Sequence, residues 1–198
     1  MTLKKRFKAS ISYTWYLYLL ALVLPSICLP FIFSFMHRIR EYETLNLFVP
    51  KNINSKELVE FLEKNEPTKN VKKYETVVCD YGDSNFLNKL TIVGYSRSDV
   101  ILLPEKILKN LNIPTVMLEI DEKLKKNYFE NEIFYNCENA SYGIELDKTK
   151  SPLKDFVIFG SEKYFLFLSG NSFNIGEYSK KAPTTSNAFS FTNFLLGN

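Results

Sequence analysis

The chain has 198 residues and a formal net charge of +3, with 25 basic and 22 acidic residues. This balance argues against a nucleic-acid-binding protein, which needs a strongly basic face. Aromatic residues make up 15% of the chain, so the composition favours a packed core over disorder. With one histidine, His37, and three cysteines, the sequence lacks the residues for a zinc site or a Ser-His-Asp triad. We therefore expect no metal, no cofactor and no enzymatic activity.

Residues 12–36 contain no charged side chain and are dominated by Leu, Ile, Val, Phe and Ala. A membrane-spanning helix needs about 20 mainly apolar residues, so this stretch predicts a transmembrane signal-anchor helix. Pro25 and Pro30 lie inside it and are expected to kink or break the helix.

The flanks of the apolar stretch predict its orientation, because cytoplasmic ends carry an excess of Lys and Arg. Residues 1–11 hold four basic residues, against two immediately after the stretch: Lys4, Lys5, Arg6 and Lys8, then Arg38 and Arg40. We expect a single-pass protein of the cell membrane, with a cytoplasmic tail at 1–11. A juxtamembrane linker at 37–43 would lead to an extracellular domain at 44–198.

A cleaved signal peptide is the main alternative, since it also pairs a basic start with an apolar core. The apolar run here is longer than the ~7–15 residues usual in such peptides, and no A-x-A pattern follows it. Cys28 suggests a lipoprotein, but Ile27 stands where a small residue is expected. We favour an uncleaved anchor.

The start of the outer domain predicts a strand, a helix and a second strand, the order of a parallel unit. The first strand covers 44–49 and ends before Pro50. Asn54 and Glu57 form a capping box for a helix that runs to about Lys64. The second strand covers 71–79 and is followed by a turn at 80–83.

The middle of the domain is predicted to continue this alternation of strands and helices. A short helix is predicted at 85–93, stopped by Gly94, and an all-apolar strand at 98–103. Pro104 begins a helix at 105–111. Residues 116–120 are predicted as a strand, and 123–129 as a loop or weak helix.

Antiparallel strands are predicted in the last third of the chain. One pair covers 132–135 and 141–146, and a second hairpin-like pair covers 156–160 and 164–169. An apolar helix at 184–196, capped at Ser186 or Asn187, closes the domain. The predicted class is α/β, with a mixed sheet that contains βαβ units.

Three segments in this order resemble extracellular solute-binding proteins of ABC transporters, the periplasmic-binding-protein type. They are SRSDVILLPEKIL at 96–108, ENASYGIELD at 138–147 and EKYFLFLSGNSFNIGEYS at 162–179. Such proteins have two lobes and about twice this length. The resemblance therefore implies a single, membrane-anchored lobe, with an ABC transporter permease or another membrane protein as partner.

The resemblance also implies where a ligand would bind. In open α/β sheets the cleft lies at the carboxyl ends of the parallel strands. Tyr81, Asp99 and Tyr142 are the candidates for that edge. The alternatives are a turn or capping role for Asp99 and core packing for Tyr142. Asp80 and Asp83 offer too few oxygen ligands for a calcium site, so we expect a plain turn there.

Two cysteines, Cys79 and Cys137, fall in the outer domain. An oxidising exterior would permit a disulfide between them, but the sequence does not show whether their backbones come close enough. The sequence leaves both states open.

Two functions from different classes fit these features. One is a solute-binding-like component of an ABC transporter, which needs a concave site. The other is an extracytoplasmic interaction protein, such as an immunity or envelope assembly factor, which needs an apolar surface patch. The abundance of Lys, Asn, Ile and Phe is typical of an AT-rich bacterial genome.

Overall fold

The computed structural model describes residues 3–51 and 54–198, and the chain divides between Ile39 and Arg40 into two units. The first unit is the helix α1, Leu3–Met36, which runs through both prolines without a break. Within it, Trp15–Met36 is long and apolar enough to cross a membrane. Apolar side chains on this stretch are exposed, for example Phe31 at 73% and Phe35 at 79%. The helix starts well before the predicted residue 12.

The second unit is an α/β domain built on a mixed, six-stranded sheet, which confirms the predicted fold class at that level. Its strands are β1 Thr44–Val49, β2 Lys73–Val78, β3 Val100–Pro104, β4 Phe134–Cys137, β5 Ala140–Glu145 and β6 Tyr164–Leu168. Its helices are α2 Ser55–Asn65, α3 Phe86–Lys89, α4 Tyr95–Arg97, α5 Glu105–Leu108, α6 Ile113–Val116, α7 Glu122–Tyr128 and α8 Asn187–Leu196. A π turn, Leu90–Gly94, joins α3 to α4.

The strands lie in the order β2-β1-β3-β6-β5-β4. β2, β1 and β3 are mutually parallel, with Thr44 opposite Lys73 and Leu47 opposite Val100. β6 is antiparallel to both β3 and β5, so β5 runs in the same direction as β3. The last strand of the chain therefore lies inside the sheet, between a parallel half and an antiparallel hairpin.

Both faces of the sheet are covered by helices. One face, called the α8 face here, carries α2, α7 and α8, and the other, called the α5 face, carries the helical segment 86–97 with α5 and α6. Successive residues of β3 and β6 alternate between the two cores, as the two-residue period of a strand requires. Leu102 and Leu166 face α8, whereas Ile101 and Phe167 face α5. Burying each such side chain contributes roughly 1.5–3 kcal/mol.

Sequence patterns located the parallel half of the sheet well. β1 has the predicted bounds, and β2 and β3 differ from the predictions by one or two residues at each end. The prediction that Asn54 caps α2 is confirmed: its Oδ1 accepts hydrogen bonds from the backbone N–H groups of Lys56 (3.1 Å) and Glu57 (3.4 Å). Glu57 Oε1 accepts from Asn54 Nδ2 at 2.7 Å, whereas in a capping box it would accept from the backbone N–H of the cap residue.

The prediction that Gly94 stops a helix is wrong. The helical backbone continues to Arg97, because the π turn accommodates the glycine. A Cβ on Gly94 would lie 2.7 Å from Leu90 Cδ1. The glycine therefore serves close packing on the α5 face rather than helix termination.

Two strand predictions fail in the rest of the domain, and one open alternative is decided. Residues 116–120 make only one isolated bridge, from Met117 to Ser169, so no strand forms there. Residues 156–160 do not pair with β6, because β6 already has β3 and β5 as its two neighbours. Residues 122–128 form a helix, which is one of the two alternatives predicted for 123–129, and Asp121 Oδ1 caps it by accepting from Leu124 N at 2.7 Å.

Candidate functional site

The carboxyl ends of β1, β2, β3 and β5 lie along one edge of the sheet, called the carboxyl edge here. After β1 the chain turns into α2 on the α8 face, whereas after β3 it turns into α5 on the opposite face. The connections that follow the neighbouring strands β1 and β3 therefore run to opposite faces of the sheet. Such a switch point opens a crevice, and it is where ligands bind in open α/β sheets.

A cluster of charged and aromatic side chains lies at this edge. Tyr81 follows β2, and Lys106 Nζ lies 3.8 Å from the centroid of its ring. Lys106 also pairs with Glu162 at 3.5 Å, from the loop that leads into β6. Asp80 pairs with Lys51, which follows β1, at 3.3 Å. The loops after three parallel strands are thus linked by side-chain contacts.

These contacts keep the cluster charged. The contact with Tyr81 raises the pKa of Lys106, and Glu162 adds to the shift. A hydrogen bond from its own backbone, and then Lys106, lower the pKa of Glu162. The backbone N–H of Gly82 lowers the pKa of Asp80, with a smaller contribution from Lys51.

A surface pocket of about 500 Å³ lies further along the same edge, where β5 ends and β6 begins. It contains three carboxylates and three ammonium groups: Glu132, Glu145, Asp147, Lys148, Lys150 and Lys163. Lys163 pairs with Glu145 at 2.9 Å, and Lys148 Nζ donates to the carbonyl oxygen of Gly160 at 2.7 Å. Its volume falls within the range usual for small-molecule sites, about 300–1,000 Å³.

The cluster and the pocket are connected through Tyr164, the first residue of β6. Its hydroxyl accepts a hydrogen bond from Gly160 N at 2.9 Å and lies 3.5 Å from Glu162 Oε1. Lys148 Nζ lies 5.5 Å from the centroid of its ring. We refer to the cluster and pocket together as the carboxyl-edge site. Its mixture of both charge signs suits a polar or zwitterionic ligand.

Of the three predicted site residues, the structure places Tyr81 at this edge. Asp99 precedes β3 and therefore lies at the amino end of the strand, on the opposite edge of the sheet. Tyr142 lies within β5, is 6% exposed and packs in the core of the α5 face. The structure does not bring the three together.

Asp99 organises a buried polar network. Its Oδ2 accepts from Asn46 N at 2.8 Å, and its Oδ1 accepts from Asn174 Nδ2 at 3.1 Å and from Ser172 Oγ. Asn174 Nδ2 also donates to the carbonyl oxygen of Thr44 at 3.0 Å. Burial raises the pKa of Asp99 to about 6 despite these donors. The network fixes the segment after β6 to the amino edge.

Sequence reasoning missed Lys106, Glu145, Glu162 and Lys163. The sequence could have identified Lys106, because this residue follows the all-apolar run of β3 and therefore lies at the carboxyl end of that strand. Glu162 and Lys163 were missed because residues 156–160 and 164–169 were wrongly predicted to pair as a hairpin. That pairing made them the tip of a turn instead of residues beside the ends of β3 and β5.

Both cysteines of the domain are free thiols. Cys79 follows β2 and Cys137 ends β4, and these are the two outermost strands. Five strand spacings of about 4.8 Å separate them by about 24 Å, whereas a disulfide needs Cα atoms within about 7 Å. A bond between them does not fit this fold.

Within residues 3–51 and 54–198, no group of three or more His, Cys, Asp or Glu side chains is placed to hold a metal ion. Comparisons with protein-family models, with curated proteins and with solved structures found no match to this chain.

Proposed function

We propose that this protein is a membrane-anchored, solute-binding-like component that acts with an ABC transporter at the outer face of a bacterial membrane. The observation that supports this most is the carboxyl-edge site. A pocket of about 500 Å³ lies where β5 ends and β6 begins, on the same edge of the sheet as the β1/β3 switch point. The resemblance of 96–108, 138–147 and 162–179 to such binding proteins points to the same function.

Membrane anchoring rests on α1. Its stretch Trp15–Met36 is apolar, and its described side chains are exposed. Exposed Leu and Phe side chains in this number are costly in water and favourable in lipid. The basic residues of 1–11 favour a cytoplasmic N-terminus. The α/β domain then lies outside the cell.

The ligand is a small polar or zwitterionic solute. Lys163 and Glu145 present an ammonium and a carboxylate 2.9 Å apart in one pocket, so they can exchange their mutual contact for those of a zwitterion. The domain has a single lobe, so its site is open on one side. A transporter permease would supply the second wall in place of closure by another lobe.

The test is a thermal-unfolding screen of the full chain in maltoside micelles against amino acids, short peptides and sugars. A ligand at a hundredfold its Kd stabilises the folded state by about 2.7 kcal/mol. Lys163→Ala should abolish the shift. Lys73→Ala removes a similar ion pair, with Glu75 on β2, away from the site and should preserve it. The absence of any specific shift would reject solute binding.

A second function, docking of a partner protein, is favoured by one observation. Leu87 and Ile92 lie on the helical segment 86–97 and are 52% and 64% exposed. Exposed apolar side chains on one short segment are the kind of residues that form a patch for a partner protein. Recovery of a membrane or secreted partner that is lost in the Leu87→Glu and Ile92→Glu double variant would support docking instead.

A further inference from the structure

A second surface pocket, of about 370 Å³, lies on the α8 face between α7, the 3₁₀ turn Gly176–Tyr178 and the start of α8. It shares no lining residue with the carboxyl-edge site. Three aromatic rings line it: Tyr128, Tyr178 and Phe189. We call it the aromatic pocket.

The three rings pack against one another, and the two tyrosines keep part of their surface accessible beside the pocket. Phe189 is 2% exposed, and both tyrosines are half-buried and pack against it. The ring of Tyr128 lies 4.7 Å from that of Phe189 at an interplanar angle of 39°, whereas Tyr178 lies 6.2 Å away at 86°. Aromatic faces carry partial negative charge, so the accessible parts of two tyrosine rings that line one pocket attract a cation.

The polar groups around the rings increase this attraction. The hydroxyl of Tyr178 donates to Asp121, with distances of 3.2 Å to Oδ1 and 3.1 Å to Oδ2. Burial and this bond raise the pKa of Tyr178, which keeps the hydroxyl a neutral donor. A phenol that donates to a carboxylate has an electron-richer ring.

One ion pair lies at the rim of the pocket. Glu177 binds Lys123 Nζ, and the side chains are 66% and 62% exposed. Exposed pairs of this kind contribute little stability, about 0–1 kcal/mol. An incoming cation can therefore replace the ammonium of Lys123 beside Glu177 at small cost.

We propose that the aromatic pocket binds a small organic cation with an alkylated ammonium group, of the trimethylammonium type. Such a group is bulky enough to contact the accessible parts of both tyrosine rings at once. It is also weakly hydrated, so it loses little on leaving water. This inference does not depend on the proposed function, since the two sites have no residue in common.

The experiment titrates the full chain in maltoside micelles with tetramethylammonium chloride and follows binding by calorimetry, with sodium chloride at equal ionic strength as the reference. Choline and its uncharged isostere 3,3-dimethylbutanol are compared in the same way. We expect saturable binding of both cations, with the isostere at least about tenfold weaker.

Variants connect the binding to the pocket. Tyr128→Leu and Tyr178→Leu should each weaken binding about tenfold, whereas Tyr178→Phe, which keeps the ring, should lose less. Tyr42→Leu is the matched change at a half-buried tyrosine that lines neither pocket, and it should bind as the wild type does. Lys123→Met removes the competing ammonium from an exposed position, so it should tighten binding without affecting folding.

Nanodiscs of phosphatidylcholine and of phosphatidylethanolamine, which both carry no net charge, separate two sources of the trimethylammonium group. Weaker tetramethylammonium binding in phosphatidylcholine identifies a lipid headgroup as the occupant, and equal binding in both identifies a soluble cation. The inference is overturned if no saturable binding occurs or if the isostere binds equally well. It is also overturned if Lys123→Met leaves the affinity unchanged and the leucine variants bind like the wild type.

Discussion

Asp99 is a buried carboxyl group that accepts hydrogen bonds from β1 and from the segment after β6. The all-apolar run after it identified β3, but a residue that precedes a strand lies at its amino end, away from the carboxyl-edge site. Its burial and hydrogen bonds to Asn46, Ser172 and Asn174 indicate a structural role. These partners are distant from Asp99 along the chain, so the carboxyl group joins separate segments and does not cap its own turn.

Asp99 should make the stability of the domain depend on pH. Its folded pKa of about 6 exceeds the ordinary value of 3.8, so folding favours the protonated carboxyl. The stabilisation is fully present below pH 3.8 and is lost as the pH rises through 6. The change is on the order of 3 kcal/mol.

Urea unfolding of the full chain, followed by circular dichroism between pH 4.5 and 7.5, measures this loss. Asp99→Asn cannot titrate and is the control, so its stability should change much less over this range. Equal pH slopes for the two proteins would contradict the prediction.

Gly143 on β5 should not tolerate a side chain. A Cβ there would lie 2.7 Å from Cε1 and Cζ of Phe167, whose ring is fully buried on the α5 face. Gly143→Ala should lower the free energy of unfolding by about 1–3 kcal/mol. Gly82→Ala is the control, since its nearest neighbour is Asp80 Oδ1 at 3.4 Å. Equal thermal midpoints of unfolding for Gly143→Ala and Gly82→Ala would show that the added methyl group does not clash with Phe167.

At the scale of helices and strands, the sequence correctly predicted the segments whose structure is set by their own residues. The capping residues of α2 and the apolar run of β3 are such signals. The segments 116–120 and 156–160 have apolar residues typical of strands, but a strand also needs a free neighbour. Whether one exists depends on the order of strands in the sheet, which local sequence does not contain.

The start of α2 offers a test at this scale. Asn54→Ala removes the acceptor for the N–H groups of Lys56 and Glu57 and should destabilise the domain by about 1 kcal/mol. Asn54→Ser keeps a capping oxygen and should stay near the wild type. Thermal denaturation compares the three proteins, and equal losses in both variants would argue against the cap.

For the whole molecule, the sequence predicted the α/β class and the apolar N-terminal helix. Of the residues in the carboxyl-edge site, it predicted only Tyr81. The rest of the site combines residues from separate loops, such as Lys106 and Glu162, and their proximity follows from β6 lying beside β3. No spacing along the chain encodes that neighbourhood.

The positions of the cysteines give a prediction for the whole molecule. Denaturing alkylation without reductant should label both Cys79 and Cys137, and mass spectrometry should find no peptide that joins them. In the native state Cys137 should react faster, because Cys79 is 2% exposed and burial raises its thiol pKa. A peptide pair joined by a Cys79–Cys137 disulfide would contradict the positions of β2 and β4 at opposite edges of the sheet.

The central position of β6 has a consequence for biogenesis. The parallel half of the sheet and the β4–β5 hairpin share no strand pairing until Tyr164–Leu168 lies between them. During synthesis, therefore, more than four-fifths of the chain must emerge before the domain can become cooperative. A ribosome that stalls earlier would leave two half-sheets with unpaired edges, which are good substrates for quality-control proteases.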